Sequence, residues 1–421
     1  MKKISILLIG IIMLLPQQLS AKYQTEFIPS ISITELWDDN IDLDNENEKS
    51  DWITAITPGV TLNILSQDNI FSLKYSPSIV RYKDEDQNNT VRHLASLSFS
   101  EMLLKNIRFT INDSYVKSED PLESTEGVIG TRETRNIYQR NNLGSNINFI
   151  FGPSNSFILG FNHSWLENDD VTIDDGKIFD PYGTLSYWFN QKHGMDLNLG
   201  YTVAEFSRDD GNIPDDDYSG GRSGVAYKYR ANSLTTMSLR YDYNTRNFKG
   251  LMGEEDYMVH EASLGLEKQL STDLSYTISA GYFIQDRDYS DDGNGLIFDA
   301  SLQKKLSKGS LSIDAKGGWD EIVLEADRRG FTKYQQLGST FNYNMTKNLT
   351  NYSRISYRQD KDSANRKSKS LRFSYGFRWL FLKYYTALID YSFAKRDEDQ
   401  EDEDYNVNRV MVGIEWSRPY R

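Results

Sequence analysis

Leu371-Arg372-Phe373-Ser374-Tyr375-Gly376-Phe377-Arg378-Trp379 alternates apolar and polar side chains at every step. The next segment, from Tyr385 to Phe393, repeats the alternation, and only Leu388 interrupts it. Because successive side chains of a strand point to opposite faces, each segment predicts a β-strand with one apolar and one polar face. Runs of this kind, each about 10 to 14 residues long, recur from about residue 25 to the end of the chain.

The connections between these runs alternate between short and long. The short ones are predicted tight turns at 67–69, 104–106, 152–155, 190–193, 230–233, 271–273, 307–309 and 346–348. The long ones are acidic segments at 38–51, 83–89, 118–134, 167–176, 209–217, 286–295, 361–369 and 397–404. Short turns on one side and long loops on the other are typical of outer-membrane barrels. We therefore predict an all-β, transmembrane, antiparallel up-and-down barrel of about 20 strands, with 18 to 22 as the range and both termini periplasmic.

Composition is compatible with a barrel and excludes several alternatives. The 27 Tyr, 20 Phe and 7 Trp suit a membrane interface, where an aromatic ring can bury its body and keep its polar edge wet. The chain has no cysteine, so no disulfide framework supports it, and its net charge of -14 argues against nucleic acid as a partner. A mean hydropathy of -0.60 is typical of a soluble protein. In a barrel, however, the apolar and polar residues of each strand cancel in such an average. A soluble sandwich or β-helix is the alternative, although about 20 long strands would then leave aromatic-rich edges exposed.

The first residues have the pattern of a secretory signal. Lys2 and Lys3 precede an apolar run from Ile4 to Leu15, and Leu19-Ser20-Ala21 is a small-residue cleavage site. We predict a signal peptide over 1–21 and one barrel domain over 22–421, which places the mature protein in the outer membrane of a Gram-negative bacterium. An uncleaved anchor is the alternative, but the apolar run is too short to span about 30 Å of hydrocarbon as a helix.

The start of the mature chain resembles a family of outer-membrane porins associated with bacterial exopolysaccharide and exosortase (PEP-CTERM) loci. The resemblance rests on Ser32-Ile33-Thr34-Glu35-Leu36-Trp37-Asp38-Asp39-Asn40-Ile41 and on Asp51-Trp52-Ile53-Thr54-Ala55-Ile56-Thr57-Pro58-Gly59-Val60. It implies passage of saccharides or other solutes across the outer membrane, and it brings no catalytic motif. Outer-membrane barrels commonly end on an aromatic residue that the barrel assembly machinery recognises, and here Trp416 or Tyr420 is the candidate for that signal.

Assigning the apolar positions to lipid places a mixed set of charges on the inner face. The basic members are Arg108, Lys228, Arg230, Arg240, Arg354, Arg372, Arg378 and Arg409, and the acidic members are Asp242, Asp299, Asp314, Asp390, Glu267 and Glu415. They either form a field that selects polar solutes or pair across strands and fill the interior. Basic residues at 228–240 and 354–378 suggest a basic wall that favours anionic glycans.

Four tryptophans in phase with the outward faces are predicted to form an aromatic girdle: Trp165, Trp319, Trp379 and Trp416. The acidic loops could hold Ca²⁺, but no complete calcium-loop pattern is present, and we expect solvated loops that face lipopolysaccharide. The glycine-rich segment 219–224 lacks a following Lys and a helix, so it predicts a strand bend rather than a phosphate loop.

The four histidines, His93, His163, His193 and His260, show no metal-ligand spacing. We therefore expect no catalytic residue, no cofactor and no metal, although a hydrolase at the barrel rim remains an alternative.

The sequence thus predicts a porin-like barrel for polar or saccharide solutes, linked to exopolysaccharide export, whose other partners are outer-membrane lipid, lipopolysaccharide and the assembly machinery. The alternative is a structural or adhesive barrel that does not conduct and whose acidic loops bind surface glycan or a partner.

Overall fold

The computed structural model describes residues 23–122, 135–171, 173–207, 217–249, 255–322, 330–362, 365–399 and 404–421. The predicted signal peptide, 1–21, lies outside the described residues, as do parts of several acidic loops. Among the described residues no helix is long and apolar enough to cross a membrane.

In the described residues, twenty strands carry almost all of the regular structure, and one 3-10 helix, Asp86–Asn88, follows the third strand. The strands are β1 Gln24–Asp38, β2 Asp51–Leu65, β3 Ile70–Tyr82, β4 Thr90–Leu104, β5 Ile107–Ser118, β6 Tyr138–Ile150, β7 Ser156–Asn168, β8 Asp175–Trp188, β9 His193–Ser207, β10 Tyr218–Asn232, β11 Thr235–Phe248, β12 Tyr257–Ser271, β13 Leu274–Arg287, β14 Gly293–Leu306, β15 Gly309–Ile322, β16 Gly330–Asn344, β17 Leu349–Asp362, β18 Lys367–Leu382, β19 Tyr385–Glu398 and β20 Tyr405–Ser417.

The sheet is antiparallel and closes on itself. Each strand pairs with its neighbours in sequence, and β1 also pairs with β20 from Ser30 opposite Ser417 to Asp38 opposite Arg409. Beyond β20, Tyr420 exchanges two backbone hydrogen bonds with Phe27, at 2.8 and 2.9 Å. Closure leaves no sheet edge to be satisfied by another chain, and the predicted barrel class and strand number are confirmed.

Short and long connections lie at opposite ends of the barrel, as predicted. Two-residue turns such as Lys105-Asn106 and Lys383-Tyr384 join strands at one end, called the turn end here. Longer segments such as 39–50 and 119–137 join them at the other, the loop end. Asn190 shows how the sequence builds a turn, because its side chain accepts from the backbone N–H groups of Lys192 and His193 at 2.8 and 3.0 Å.

The two faces of the wall differ in chemistry. On the outer face, large apolar side chains are exposed, for example Ile33 at 55%, Leu264 at 66% and Ile414 at 53%. The intervening residues point into the barrel, and some contact side chains of strands that are not their neighbours; Arg246 of β11 reaches Glu321 of β15. Leu388, which interrupts the alternation of β19, lies on the inner face between the outward-facing Ala387 and Ile389.

Most buried side chains belong to the inner face near the loop end. We call this packed layer the collar; its members include Asp38, Ile53, Val80, Tyr82, Val116, Tyr138, Leu166, Phe206, Tyr218, Arg246, Tyr257, Val259, Phe283, Gln285, Phe331, Arg358, Tyr405, Val407 and Arg409. Within the described part of the chain, apolar members form five clusters around the circumference. Nearer the turn end, inner-face residues such as Lys74, Arg354 and Arg378 are exposed. The described inner-face residues are therefore packed near the loop end and exposed to water below it.

One hairpin leaves the wall and enters the collar. β14 pairs with β13 up to Gly293, but its pairing with β15 stops at Phe298 opposite Gly317. Residues 319–322 and 330–333 are called the tip of the β15–β16 hairpin here. In this tip, Trp319 and Phe331 pack in a cluster with Tyr257 of β12 and Phe283 of β13. Gly317 allows the close approach, because a Cβ there would lie 2.3 Å from the Phe298 ring.

Candidate functional site

An ionic network lies in the collar where β20, β1 and the 119–137 loop meet. Arg409 donates from Nη1 and Nη2 to the two carboxylate oxygens of Asp120, each at 3.0 Å, and from Nε to Asp38 at 2.8 Å. All three side chains are buried. Burial raises the pKa of Asp120, but the charges of Arg409, Arg135 and Arg92 outweigh it and hold that pKa well below its usual range. The described start of the loop, residues 119–122, is therefore held against β20 and β1 by charge-assisted hydrogen bonds.

The same loop is bound on its other side by residues of β3 and β4. Glu119 accepts from Arg92 and from the Tyr82 hydroxyl, the latter at 2.8 Å. Arg135 donates to the Tyr82 hydroxyl and to the backbone carbonyl of Ile41, both at 2.6 Å. The carboxylates and guanidinium groups of this network balance, which allows them to be buried together.

The segment that carries the family resemblance fills this part of the collar. Asn40 and Ile41 are fully buried; Asn40 donates to the backbone carbonyls of Asp44 and Asn406, at 2.8 and 3.0 Å, and so ties the first loop to β20. Asp51 accepts from the backbone N–H groups of Trp52 and of residues 83–85, which fixes the next loop beside it. The Trp-Asp-Asp-Asn-Ile pattern thus shapes the loop end of the lumen.

On the opposite side of the barrel, the tip of the β15–β16 hairpin is held by Glu321. This carboxylate accepts from Arg246 Nε of β11 at 2.7 Å and from the hydroxyl of Tyr257 of β12. The Trp319 indole stacks on Phe331 with ring centroids 5.3 Å apart, and its Nε1 donates to Glu261 at 3.0 Å. The tip therefore narrows the lumen through contacts with strands that are not its neighbours.

Beneath this tip, within the lumen, lies a cavity of about 610 Å³. Its wall runs from β8 to β16 and combines aromatic rings, charged groups, hydroxyls and amides, among them Tyr182, Thr184, Asn198, Arg222, Arg240, Asp242, Asn244, Glu261, Ser263, Ser279, Asp299, Lys316, Trp319 and Tyr334. Its volume lies within the range of about 300–1,000 Å³ that is usual for small-molecule pockets.

The predicted basic residues of β10 and β11 lie on the inner face, and two of the three have carboxylate partners. Lys228 Nζ lies 2.6 Å from Asp196, and Arg240 Nη2 donates to Asp242 at 2.9 Å. Arg230 stacks on Trp188, with its guanidinium carbon 4.0 Å from the ring centroid. Neighbouring carboxylates therefore neutralise Lys228 and Arg240, and of the basic wall suggested for residues 228–240 only Arg230 keeps an unpaired charge in the part of the chain that the structure describes.

The predicted basic residues of β17 and β18 are different. Arg354 and Arg378 are exposed on the inner face, and neither has a carboxylate partner among the described residues. Arg372 lies nearer the loop end, in the collar, where its Nε is buried without a hydrogen-bond partner. Asp390 of β19 accepts from the Tyr352 hydroxyl at 2.9 Å rather than from an arginine. A strip of uncompensated positive charge therefore remains on this part of the wall.

Arg108 and Arg409 lie at opposite ends of the lumen. Arg108 donates to Ser100 Oγ and to the backbone carbonyl of Asp68, at 3.0 and 3.1 Å, close to the turn end. Arg409 belongs to the buried network at the loop end and is not water-accessible lining.

Three of the four girdle tryptophans, Trp165, Trp379 and Trp416, lie on the outer face, and Trp379 is 52% exposed. Trp319 does not, and its outward assignment was wrong. β15 keeps its register with β16 through Gly317-Gly318 but loses its pairing with β14 there, so the hairpin turns and carries Trp319 into the lumen. The Gly-Gly pair was the available signal, since such a pair inside a strand is typical of a bend.

Two further placements were missed by sequence reasoning. Trp37 and Trp52 are cross-strand partners on the outer face at the loop end, where they extend the aromatic surface. Trp188 faces the lumen near the turn end, beneath Arg230. The sequence signal for this placement was that Trp188 has an even number in β8, in phase with the polar, inward-facing residues of that strand.

The histidines lie on the outer face, away from the cavity. His93 and His260 share hydrogen bonds of 2.8 Å with Tyr75 and Tyr241, and His163 stacks on Phe179 with ring centroids 4.5 Å apart. Within the described part of the chain, no group of three or more His, Asp or Glu side chains could hold a metal ion.

Comparison with solved structures finds the same architecture in proteins of very different sequence. The siderophore receptor PirA from Pseudomonas aeruginosa superposes with a TM-score of 0.51 at 8% identity, over 93% of this chain and 80% of that one. The chain has an outer-membrane β-barrel fold. The copper transporter OprC gives 0.52 at 8% identity over 94% and 80%, and the FrpB iron transporter from Neisseria meningitidis gives 0.50 at 8% over 93% and 82%. No protein-family profile matches this barrel, and no curated protein matches it.

Proposed function

We propose that this barrel lies in the outer membrane of a Gram-negative bacterium and provides a passive path for polar solutes, saccharides among them, in support of exopolysaccharide export. The observation that carries the proposal is the exposure of charged residues such as Arg354 and Arg378 on the inner face, behind a wall whose outer face is apolar. A water-accessible charged lumen inside an apolar band is the arrangement of a pore.

The proposed orientation puts the loop end outside the cell and both termini in the periplasm. The strands are 12 to 16 residues long. Because about 9–11 residues suffice to cross a bilayer, the loop-end residues would extend beyond it and carry the collar outside the hydrocarbon. Cleavage after Ala21, insertion by the assembly machinery and contact of the acidic loops with lipopolysaccharide belong to the same proposal, which includes no enzymatic step.

Bilayer recording tests the proposal directly. Purified refolded barrel in a planar membrane should give stable open channels, and vesicles that contain it should swell in small neutral sugars and stop swelling above a limiting size. Resistance to heat in gel electrophoresis would verify folding. Absence of current and of swelling in folded protein would overturn a conducting role.

The collar favours a second candidate, a structural or adhesive barrel that does not conduct. Its buried network and the inward hairpin tip both close space at the loop end. This candidate predicts silence in the bilayer and retention of the barrel on immobilised surface glycan, which the conducting role does not require. Neighbouring genes for polysaccharide synthesis would support the export role over that of a general porin.

A further inference from the structure

We propose that the cavity beneath the β15–β16 tip is a binding site for a neutral saccharide segment of a few sugar rings. The inference rests on the proposed function, because it names the solute class and the place in the lumen where that solute is held. It concerns the wall from β8 to β16 and not the basic strip of β17 and β18.

The three cations of the cavity wall are all paired, which selects against anionic ligands, and Glu261 is a fourth carboxylate whose donors are the neutral groups of Trp319 and Asn244. Each cation in it has a carboxylate at hand: Arg222 and Asp180 at 2.9 Å, Arg240 and Asp242 at 2.9 Å, and Lys316 and Asp299 at 3.5 Å. An anionic ligand would have to separate one of these pairs to form its own ion pair, and a cationic ligand would have to compete with the Trp319 and Asn244 donors for Glu261. A neutral ligand need not, since a carboxylate retains lone pairs and a guanidinium retains N–H donors after one pairing.

Hydroxyl groups are the ligand chemistry that fits the remaining capacity. A sugar hydroxyl both donates and accepts, so one group can bridge a carboxylate and a guanidinium without disturbing them. Glu261 accepts from Trp319 Nε1 at 3.0 Å and from Asn244 Nδ2 at 3.1 Å, which holds its carboxylate at the cavity surface in a fixed orientation. Fixed donors and acceptors of this kind confer orientation as well as affinity.

Aromatic rings supply a surface for the apolar C–H face of a sugar. Trp319 and Tyr334 both line the cavity. Their positions are fixed from behind, Trp319 by Phe331 at 5.3 Å between centroids and Tyr334 by the Arg358 guanidinium at 4.4 Å. A rigid ring loses little entropy when a ligand packs on it, so it contributes more than a mobile side chain would.

The test is calorimetric titration of the refolded full-length barrel with three trisaccharide probes of equal length: neutral maltotriose, anionic trigalacturonate and the cationic glucosamine trimer. We expect maltotriose to bind and both charged probes to bind more weakly. Trp319→Ala and Tyr334→Ala should each weaken maltotriose binding about tenfold, which is the loss expected for one aromatic contact surface. Trp188→Ala is the matched control, since Trp188 faces the lumen outside the cavity, and it should change the affinity by less than about twofold.

Trp319→Ala could weaken binding only because it loosens the hairpin tip. Tyr334→Ala tests for this, because Tyr334 lies below the tip. The inference is overturned if maltotriose does not bind, if a charged trimer binds as tightly, or if both cavity variants keep the wild-type affinity. Conductance is measured separately. Binding without conductance would contradict the proposed function and leave the site standing, whereas conductance without binding would contradict the site alone.

Discussion

Arg409 of β20 donates to both carboxylate oxygens of Asp120, at 3.0 Å each, and so joins two buried groups that are 289 positions apart in the chain. The pair holds residues 119–122, the described start of the loop after β5, against β20. Replacing Asp120 by Asn should release that loop, because removal of one partner from a buried ion pair costs about 3–5 kcal/mol. We expect faster amide exchange at 119–122 and a higher single-channel conductance.

The control for this prediction is an exposed pair on the outer face. Lys395 Nζ lies 2.9 Å from Asp397, and both side chains are about half exposed. Such a pair contributes about 0–1 kcal/mol, so Lys395→Gln should leave exchange and conductance unchanged. Equal behaviour of Asp120→Asn and Lys395→Gln would show that the network does not hold the loop.

The acid response of the same loop follows from the direction of its pKa shift. The pKa of Asp120 is lowered in the folded barrel, because three arginines outweigh the effect of burial. Such a carboxyl contributes stability that is present above its unfolded pKa of about 3.9 and is lost as pH falls through the lower folded value. Conductance should therefore stay constant from neutral pH down to about 4, and any opening that depends on Asp120 should begin only below that.

Recordings across this pH range check the prediction, with Asp120→Asn as the reference that lacks the carboxylate. An opening transition near neutral pH that disappears in Asp120→Asn would contradict it.

Glu321 provides a separate hold on the opposite side of the lumen. Glu321→Gln removes the charge that pairs with Arg246 Nε at 2.7 Å and weakens the contact with Tyr257, so the hairpin tip should detach from β11 and β12 more often. We expect larger and noisier single-channel currents. Asp320→Asn is the neighbouring control. Its partner Arg358 still forms an ion pair with Asp360, at 2.8 Å, so this change should leave the currents as they are. Quiet, unchanged currents in Glu321→Gln would mean that the tip does not limit the lumen.

The regular part of this barrel was predictable because alternation and connection length are local properties. In β18, Phe373, Tyr375 and Trp379 follow from period two alone, and the two-residue turns follow from their composition. Twenty strands then follow from counting. No residue in the sequence indicates that β1 pairs with β20. Closure was inferred because an unpaired sheet edge would leave backbone groups exposed.

What fills the lumen was not predictable, because it depends on contacts between distant segments. Nothing near Arg409 in the sequence indicates Asp120, and Arg240 was assigned to a basic wall since its pairing with Asp242 depends on side-chain conformation. Trp319 was misplaced for the opposite reason. A local rule was extended through Gly317-Gly318, where the pairing with β14 ends.

A charged side chain should destabilise the barrel more on the outer face than on the inner face. Leu264 is the middle residue of β12 and is 66% exposed on the outer face, whereas Ser263 faces the lumen. Leu264→Arg should lower the free energy of unfolding in lipid vesicles by about 2–4 kcal/mol, the cost of an arginine near the bilayer midplane. Ser263→Arg should cost less than half of that. Urea titration in vesicles measures both, and equal costs would argue against a membrane setting for this face.

The basic strip of β17 and β18 should set the ion preference of the open channel. Arg354 and Arg378 are exposed in the lumen without carboxylate partners among the described residues, so their charge acts on passing ions. We expect an anion preference in the wild-type barrel, measured as a reversal potential in a salt gradient. Arg354→Gln combined with Arg378→Gln should move that potential toward cation preference. The matched control removes a neutral pair: Arg240→Gln with Asp242→Asn leaves the lumen charge unchanged and should leave the potential where it is. A wild-type cation preference, or a control that shifts the potential as far as the arginine variant, would show that selectivity arises elsewhere, with the acidic loops as the next place to test.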